Sequence, residues 1–417
     1  MAKRKTTLKP WFKTLLFVFV IVVAGTFLFL KFTGNNDVKK ANTTNNKQNA
    51  KPVQKETKKV YKLSMIMAGD ALLHGYLNTD AKQSDGSYNY MKQLRYIKDY
   101  VQKYDLRYWN QETIFAGTTY SDGSHRPYSG YPRFNTPSSF GDNMIDEIGF
   151  NIVSTANNHA MDQYESGVLN SVKYWKTKDI LWNGTADSEE TRNSFIIKEK
   201  NNITYGLLSY TDHTNGLPVP KDKPYLVNVW NEEQAKKDIA ELRDKVDVLM
   251  VAMHWGIEYT HTPVAKQREQ AKFLADQGVD IIIGCHPHVI EPIEIIETTN
   301  EETNETHKTV VFYSLGNLIS NQTDENTRVG LFGTLDITKT VDKGSSTITI
   351  DNIGGELHYT YRDLPAHRNY VVIPFSNPEI AKYLKNYKSA WEKYKNIVTG
   401  GNENFKIVPA YEESTGV

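Results

Sequence analysis

Five apolar runs in this sequence are each followed at once by side chains that bind metals or move protons. Asp70 follows SMIMAG, with His74 four residues on; Asn110 and Glu112 end the short run that begins at Leu106. Asn157, Asn158 and His159 follow IVSTA, with Asp162 close behind; His254 follows VLMVAM; His286 and His288 follow IIIGC. Imidazole together with carboxylate and carboxamide oxygen suits manganese, zinc or iron. One or two such ions could polarise a phosphoryl oxygen or an amide carbonyl and acidify a bound water. The single cysteine, Cys285, excludes an intrachain disulfide framework and a zinc site built from several thiolates.

Taken singly, these residues have plainer explanations. A Gly-Asp after a strand is usually a turn, Asn157-Asn158 alone would be a loop, and His254 before Trp255-Gly256 could be a packed histidine satisfied by backbone. His286-Pro287-His288 is stronger, because the proline stiffens the chain and an extended spacing of two puts both imidazoles on one side. Coincidence at five strand ends is far less expected than any one false positive, so a common polar or metal site is the better reading. Cys285 reads as a small core residue, His213 as a weaker sixth candidate, and His74 as either cleft or loop surface. His125, His307, His358 and His367 carry no case.

The elements that must position these groups follow from periodicity. Strand-length apolar runs at 61–68, 150–155, 203–210, 246–253, 279–285 and 309–315 alternate with helical spacing over 90–104, 165–179, 231–245 and 264–277. The alternation predicts an α/β fold, in which polar residues just past the strands share a crevice. After Tyr313, Thr-, Ile- and Gly-rich runs predict antiparallel strands closing the sheet, and 377–396 reads as a helix.

The charge balance, 49 basic against 49 acidic, hides an asymmetry: residues 1–59 hold 13 Lys/Arg and 2 Asp/Glu, leaving 36 against 47 in the rest. An acidic folded region argues against a nucleic-acid partner. Residues 1–10 read as a basic cytoplasmic tail. Residues 11–32, about 33 Å as a helix, read as a transmembrane anchor, with the positive flank inside and the main domain outside the cell membrane. An uncleaved anchor is expected over a cleaved signal peptide, since no small-x-small pattern follows the apolar run. Residues 33–59, rich in Asn, Lys and Thr, read as a disordered tether. The folded domain is expected over 60–375, with a C-terminal helix and tail over 376–417.

In order, AGDALLHG, NQE, ANNHAMDQYESG, HWGIEY, GCHPHVIEP and YSLGN resemble the motif series of the CapA family of poly-gamma-glutamate capsule synthesis proteins, over about residues 62–320. The resemblance implies a calcineurin-like metallophosphoesterase-type fold, a layered β core flanked by helices. It implies Asp70, Glu112, Asn158, His254, His286 and His288 as ligands of one or two divalent ions, manganese, zinc or iron. It implies His159 as the acid beside the leaving group, with His74, Asn110, Asn157, Asp162, Ser314 and Asn317 in supporting or substrate-side positions. The sequence departs from the phosphoesterase pattern at Leu72, where a ligand histidine is expected, and at Asn110-Gln111-Glu112, which replaces the second Asp motif.

The expected function is a membrane-anchored, extracytoplasmic component of poly-gamma-glutamate or related anionic-polymer capsule synthesis or export. No Gly-rich phosphate loop ending in Gly-Lys-Ser/Thr is present, so ATP-driven ligation falls to membrane subunits that partner this chain. The alternatives are a free-standing metal-dependent hydrolase of envelope phosphodiesters or amides, and a non-catalytic scaffold that binds polymer.

Overall fold

The computed structural model describes residues 58–120, 123–299, 304 and 306–412. The segments read as tail, anchor and most of the tether lie outside them. Among the described residues no helix is long and apolar enough to cross a membrane.

The chain lays down β1 (Lys59–Ala71), β2 (Leu106–Asn110), β3 (Ile152–Ser154) and β4 (Leu181–Asn183), then β5 (Ile197–Lys200), β6 (Ile203–Thr211), β7 (Val248–His254), β8 (Ile281–Cys285), β9 (Ile293–Thr299) and β10 (Thr306–Phe312). It ends with β11 (Asn317–Ile319), β12 (Val329–Asp342), β13 (Ser345–Asp363), β14 (Arg368–Pro374) and β15 (Lys406–Ile407). Two mixed sheets result. The first runs β14-β13-β12-β1-β2-β3-β4, with β11 beside β1 and β15 beside β13; the second runs β5-β6-β7-β8-β10-β9. Around the site the neighbours are parallel, β1-β2-β3-β4 in one sheet and β6-β7-β8-β10 in the other.

Side-chain alternation along each strand builds the layers. Leu63, Met65 and Met67 of β1 meet Val248 and Met250 of β7 and Ile281 and Ile283 of β8 in one core between the sheets. The intervening residues turn the other way. Ile66 and Ala68 pack with Val168, Val172 and Trp175 of helix α1 (Tyr164–Trp175). Leu249 and Val251 pack with Ala235 and Ile239 of α2 (Glu232–Leu242) and Leu274 of α3 (Ala265–Asp276). The strands are apolar on both faces because both faces are covered. The Asn231 side chain caps α2 by accepting from the Gln234 N–H at 2.9 Å, which fixes where that helix starts. A fourth helix, α4 (Tyr387–Thr399), adds Tyr387, Tyr394 and Val398 to the inter-sheet core.

Two predicted helices are broken. The stretch 90–104 forms only the short turns Met91–Leu94 and Lys98–Val101, although Tyr90, Leu94, Ile97 and Val101 are all buried as one apolar face. The stretch 377–396 is interrupted between Tyr383 and Tyr387. The antiparallel strands after Tyr313 are present as β12 to β14, registered on β1 and on one another.

Candidate metal centre

The carboxyl ends of β1, β2 and β3 in one sheet and of β7 and β8 in the other converge on one buried point. Asp70, Asn110, Glu112, Asn158, His254, His286 and His288 are each at most 4 % exposed. Glu112 Oε1 lies 3.6 Å from His254 Nε2 and 3.7 Å from His288 Nε2. His286 Nδ1 lies 3.2 Å from His254 Nε2, and Asn158 Oδ1 is 3.0 Å from that same nitrogen. Asp70 Oδ2 is 3.5 Å from His288 Nδ1, and Asp70 Oδ1 accepts from the Asn110 carboxamide at 2.7 Å. Two overlapping sets, Glu112–His254–His286 and Asp70–Glu112–His288, bring one ligand atom from each member within 4.8 Å of the others.

A close approach of backbones makes this convergence possible. A Cβ on Gly69 would stand 1.8 Å from the Gly316 carbonyl oxygen, and one on Gly284 would stand 1.9 Å from that of Tyr313. Only glycine lets β1 and β8 reach so near the 313–316 loop, where the Asp70 N–H donates to the Gly316 carbonyl at 2.9 Å.

The loop after β8 is not extended. His286 has φ 100° and His288 φ 59°, both in the left-handed region. The two imidazoles reach one site through consecutive reversals of the chain, an arrangement that costs energy and clusters at functional sites. Asp70 Oδ2 accepts from the His286 N–H at 3.1 Å and holds this turn from the other sheet.

The donor set fits a cation. Both carboxylate oxygens of Glu112 and the Asn158 Nδ2 are buried without a hydrogen-bond partner, an expense a fold does not sustain without purpose. Burial pushes the Glu112 carboxyl well above its ordinary range, opposed by His288 and reinforced by Asp70 and Glu258. Burial, then the neighbouring imidazoles, pushes His254 well down, and His286 down to about 3. Burial would pull His288 down too, but Glu112 and Asp70 outweigh it and hold it up at about 9. Two neutral imidazoles, His254 and His286, beside a carboxyl group that makes no hydrogen bond offer ligands to a divalent ion, which would displace the proton held on His288.

The supporting residues divide by position. His159 Nδ1 lies 2.9 Å from Asp162 Oδ2, which also accepts the Phe134 N–H at 2.7 Å. Asn157 accepts the His159 N–H at 3.0 Å and ties its turn to the Gln111 carbonyl, so it shapes the loop. Asn317 Oδ1 is 3.1 Å from His288 Nδ1, which leaves Nε2 facing Glu112. Ser314 donates to the Val289 carbonyl at 2.7 Å and pins the end of the same loop. His74 is outside both ligand sets, so it does not replace the imidazole missing at Leu72; its ring stands edge-on to Phe134 at 5.2 Å. Cys285 is buried. His213 reaches the site margin, its ring 5.2 Å from that of His286.

Sequence reading passed over Glu258, whose Oε1 is 3.9 Å from His288 Nε2, and Phe134, whose ring packs on that of His159 at 4.6 Å. Glu258 was visible in HWGIEY. Nothing local to Phe134 marks it.

The sequence profile of the family described as "Bacterial capsule synthesis protein PGA_cap" matches residues 64–322, which include every residue of this centre. The chain belongs to that family. The PGA biosynthesis protein CapA of Bacillus subtilis is 27 % identical over 270 residues, 64 % of this chain and 65 % of that protein. The capsule biosynthesis protein CapA of Bacillus anthracis is 28 % identical over 183 residues, 43 % of this chain and 42 % of that protein. The matched stretches thus fall short of two thirds of either relative. Among solved structures, a 5'-nucleotidase precursor from Thermus thermophilus overlays with a TM-score of 0.41 at 14 % identity, covering 80 % of this chain and 58 % of that one. NAD nucleotidase from Haemophilus influenzae overlays with a TM-score of 0.40 at 11 % identity, covering 84 % and 58 %.

Proposed function

We propose that this capsule-synthesis family member is a membrane-anchored, extracytoplasmic subunit that handles poly-gamma-glutamate or a related anionic polymer, and that its buried centre binds one or two divalent ions and hydrolyses a bond in that polymer. The observation that carries the metal-dependent reading is Glu112, a buried carboxyl group without a hydrogen-bond partner at the focus of three imidazoles. Asp70, Glu112, Asn158, His254, His286 and His288 would hold the ions. When bound, the ions supply a polarised oxygen and an acidified water.

The chain's own residues do the rest. Asp162 accepts from His159 Nδ1 and stabilises the imidazolium, leaving Nε2 to hand a proton to the departing group. Phe134 packs on the His159 ring and keeps it from turning away. Burial of His254, His286 and His288 keeps bulk water out of the centre. Polymerisation, which needs an activated precursor, belongs to partner subunits in the membrane.

A second reading, a non-catalytic cleft that only binds polymer, is favoured by one observation: Leu72, 3 % exposed, stands where the phosphoesterase pattern has a ligand, and His74 does not compensate. The two readings separate by turnover. The full chain in mild detergent, loaded with manganese or zinc, is expected to cleave a γ-linked glutamate oligomer or bis(p-nitrophenyl) phosphate. Chelation should abolish the activity, and His159→Ala should lower it about 10²-fold or more. A metal-loaded protein that turns over neither probe refutes the hydrolytic reading and leaves the binding one.

A further inference from the structure

Beside the metal centre lies an open cleft of about 530 Å³, lined by His74, Tyr76, Thr79, Tyr128, Tyr131 and Asn321 among others. It adjoins the centre through Phe134, whose ring meets His74 at 5.2 Å on one side and His159 at 4.6 Å on the other. In a domain with excess acidic residues, no residue lining this cleft is acidic.

Two arginines stand just outside its lining, Arg362 behind the wall at Asn321 and Arg133 next to it along the chain. Arg133 is exposed two residues beyond Tyr131, its guanidinium 4.9 Å over the Tyr164 ring and donating to the Tyr164 hydroxyl. Arg362 is only 2 % exposed, yet no carboxylate acts on it. Its Nη1 donates to the Gln322 carbonyl at 2.9 Å, while Nε and Nη2, the edge that matches a carboxylate with two parallel bonds, are buried without partners. The carboxylate of Asp80 is taken up by the N–H groups of Asn369 and Tyr370 and by the Gln93 side chain. A buried charge is ordinarily paired, so Arg362 leaves a positive field uncancelled, and that field reaches His74 in the cleft wall.

We propose that this cleft, with Arg362 behind its wall and Arg133 two residues along the chain from Tyr131, is the subsite that takes a carboxylate-bearing repeat of the anionic polymer next to the metal centre. The inference rests on the functional reading above and deepens it. The tyrosines supply faces for the repeat's backbone, and the arginines supply the charge that an otherwise acidic surface lacks.

The test is calorimetric titration of the full chain with three probes: a γ-linked glutamate hexamer, its neutral α-carboxamide counterpart, and a glycerol phosphate oligomer. The wild type should bind the glutamate hexamer at least tenfold more tightly than the neutral one. Arg133→Gln and Arg362→Met should each weaken the acidic hexamer about fivefold and leave the neutral one unchanged. Thr79→Trp, at an exposed wall position, should block both hexamers. Arg133→Gln and Thr79→Trp touch no core, so they answer the question even if Arg362→Met fails to fold. Equal affinity for both hexamers, wild-type binding by Thr79→Trp, or tighter binding of the glycerol phosphate oligomer would overturn the proposal. Metal content of the same samples keeps the two readings apart: charge-selective binding without metal sinks the hydrolytic reading alone, and metal without charge selection sinks the subsite alone.

Discussion

Replacing Asp162 by asparagine tests whether the dyad with His159 serves proton transfer. The two groups are 6 % and 1 % exposed and 2.9 Å apart, so their contact is a buried, charge-assisted hydrogen bond when His159 is protonated. Such a bond contributes about 2–3 kcal/mol, and at about 1.4 kcal/mol per factor of ten its loss lowers kcat by about 10²-fold. Asparagine retains an oxygen for the Phe134 N–H that Asp162 accepts at 2.7 Å, so the loop should hold and stability should change by less than about 2 kcal/mol. The atom that accepts the Phe134 N–H is also the one 2.9 Å from His159 Nδ1, so the asparagine oxygen serves both contacts and what is lost is the negative charge that stabilises the imidazolium. Steady-state kinetics on the probe that the metal-loaded wild type cleaves give the answer, with metal content measured alongside. A kcat within about threefold of wild type refutes the assignment, and so does an activity loss matched by an equal loss of metal.

Gly69→Ala should cost more than about 3 kcal/mol and lower metal content, because the new methyl group would stand 1.8 Å from the Gly316 oxygen; thermal unfolding and elemental analysis measure both, and a wild-type Tm would contradict the packing argument. Burial holds the His358 imidazole down at about 3, so as pH falls below the ordinary 6.5 the unfolded chain takes up a proton that the folded chain refuses, and stability is lost with acidification. Between pH 7 and 5 this residue alone should remove about 2 kcal/mol, and His358→Leu should flatten that part of the slope in chemical denaturation; an unchanged slope would refute it. Protease added to intact cells should digest the domain beyond residue 59 if the anchor is oriented as expected, and protection of that domain would reverse the topology.

Much of the centre was legible because strand ends are legible. Asp70, Glu112, Asn158, His254, His286 and His288 each stand within three residues of the end of an apolar run, and the structure brings all six together. The layering followed from runs apolar on both faces, which need cover on both sides. Local pattern did not reveal the left-handed turns at His286 and His288, because an extended spacing of two and a doubly reversed loop have the same sequence signature. The break in 90–104 was hidden for a related reason: the apolar face continues from Leu94 to Ile97 and Val101 although the helical hydrogen bonding does not. The roles of Asn317, Ser314 and Phe134 depend on contacts with residues distant in sequence, and no spacing rule encodes those.

Whether Glu112 and its imidazoles hold metal decides what this centre does. Elemental analysis of the full chain, purified without chelator, beside Glu112→Gln and His286→Ala, tests this directly. About one or two equivalents of manganese, zinc or iron in the wild type, lost in both variants whose folding is intact, is the predicted result. No metal in the wild type, even after incubation with manganese or zinc, would contradict it.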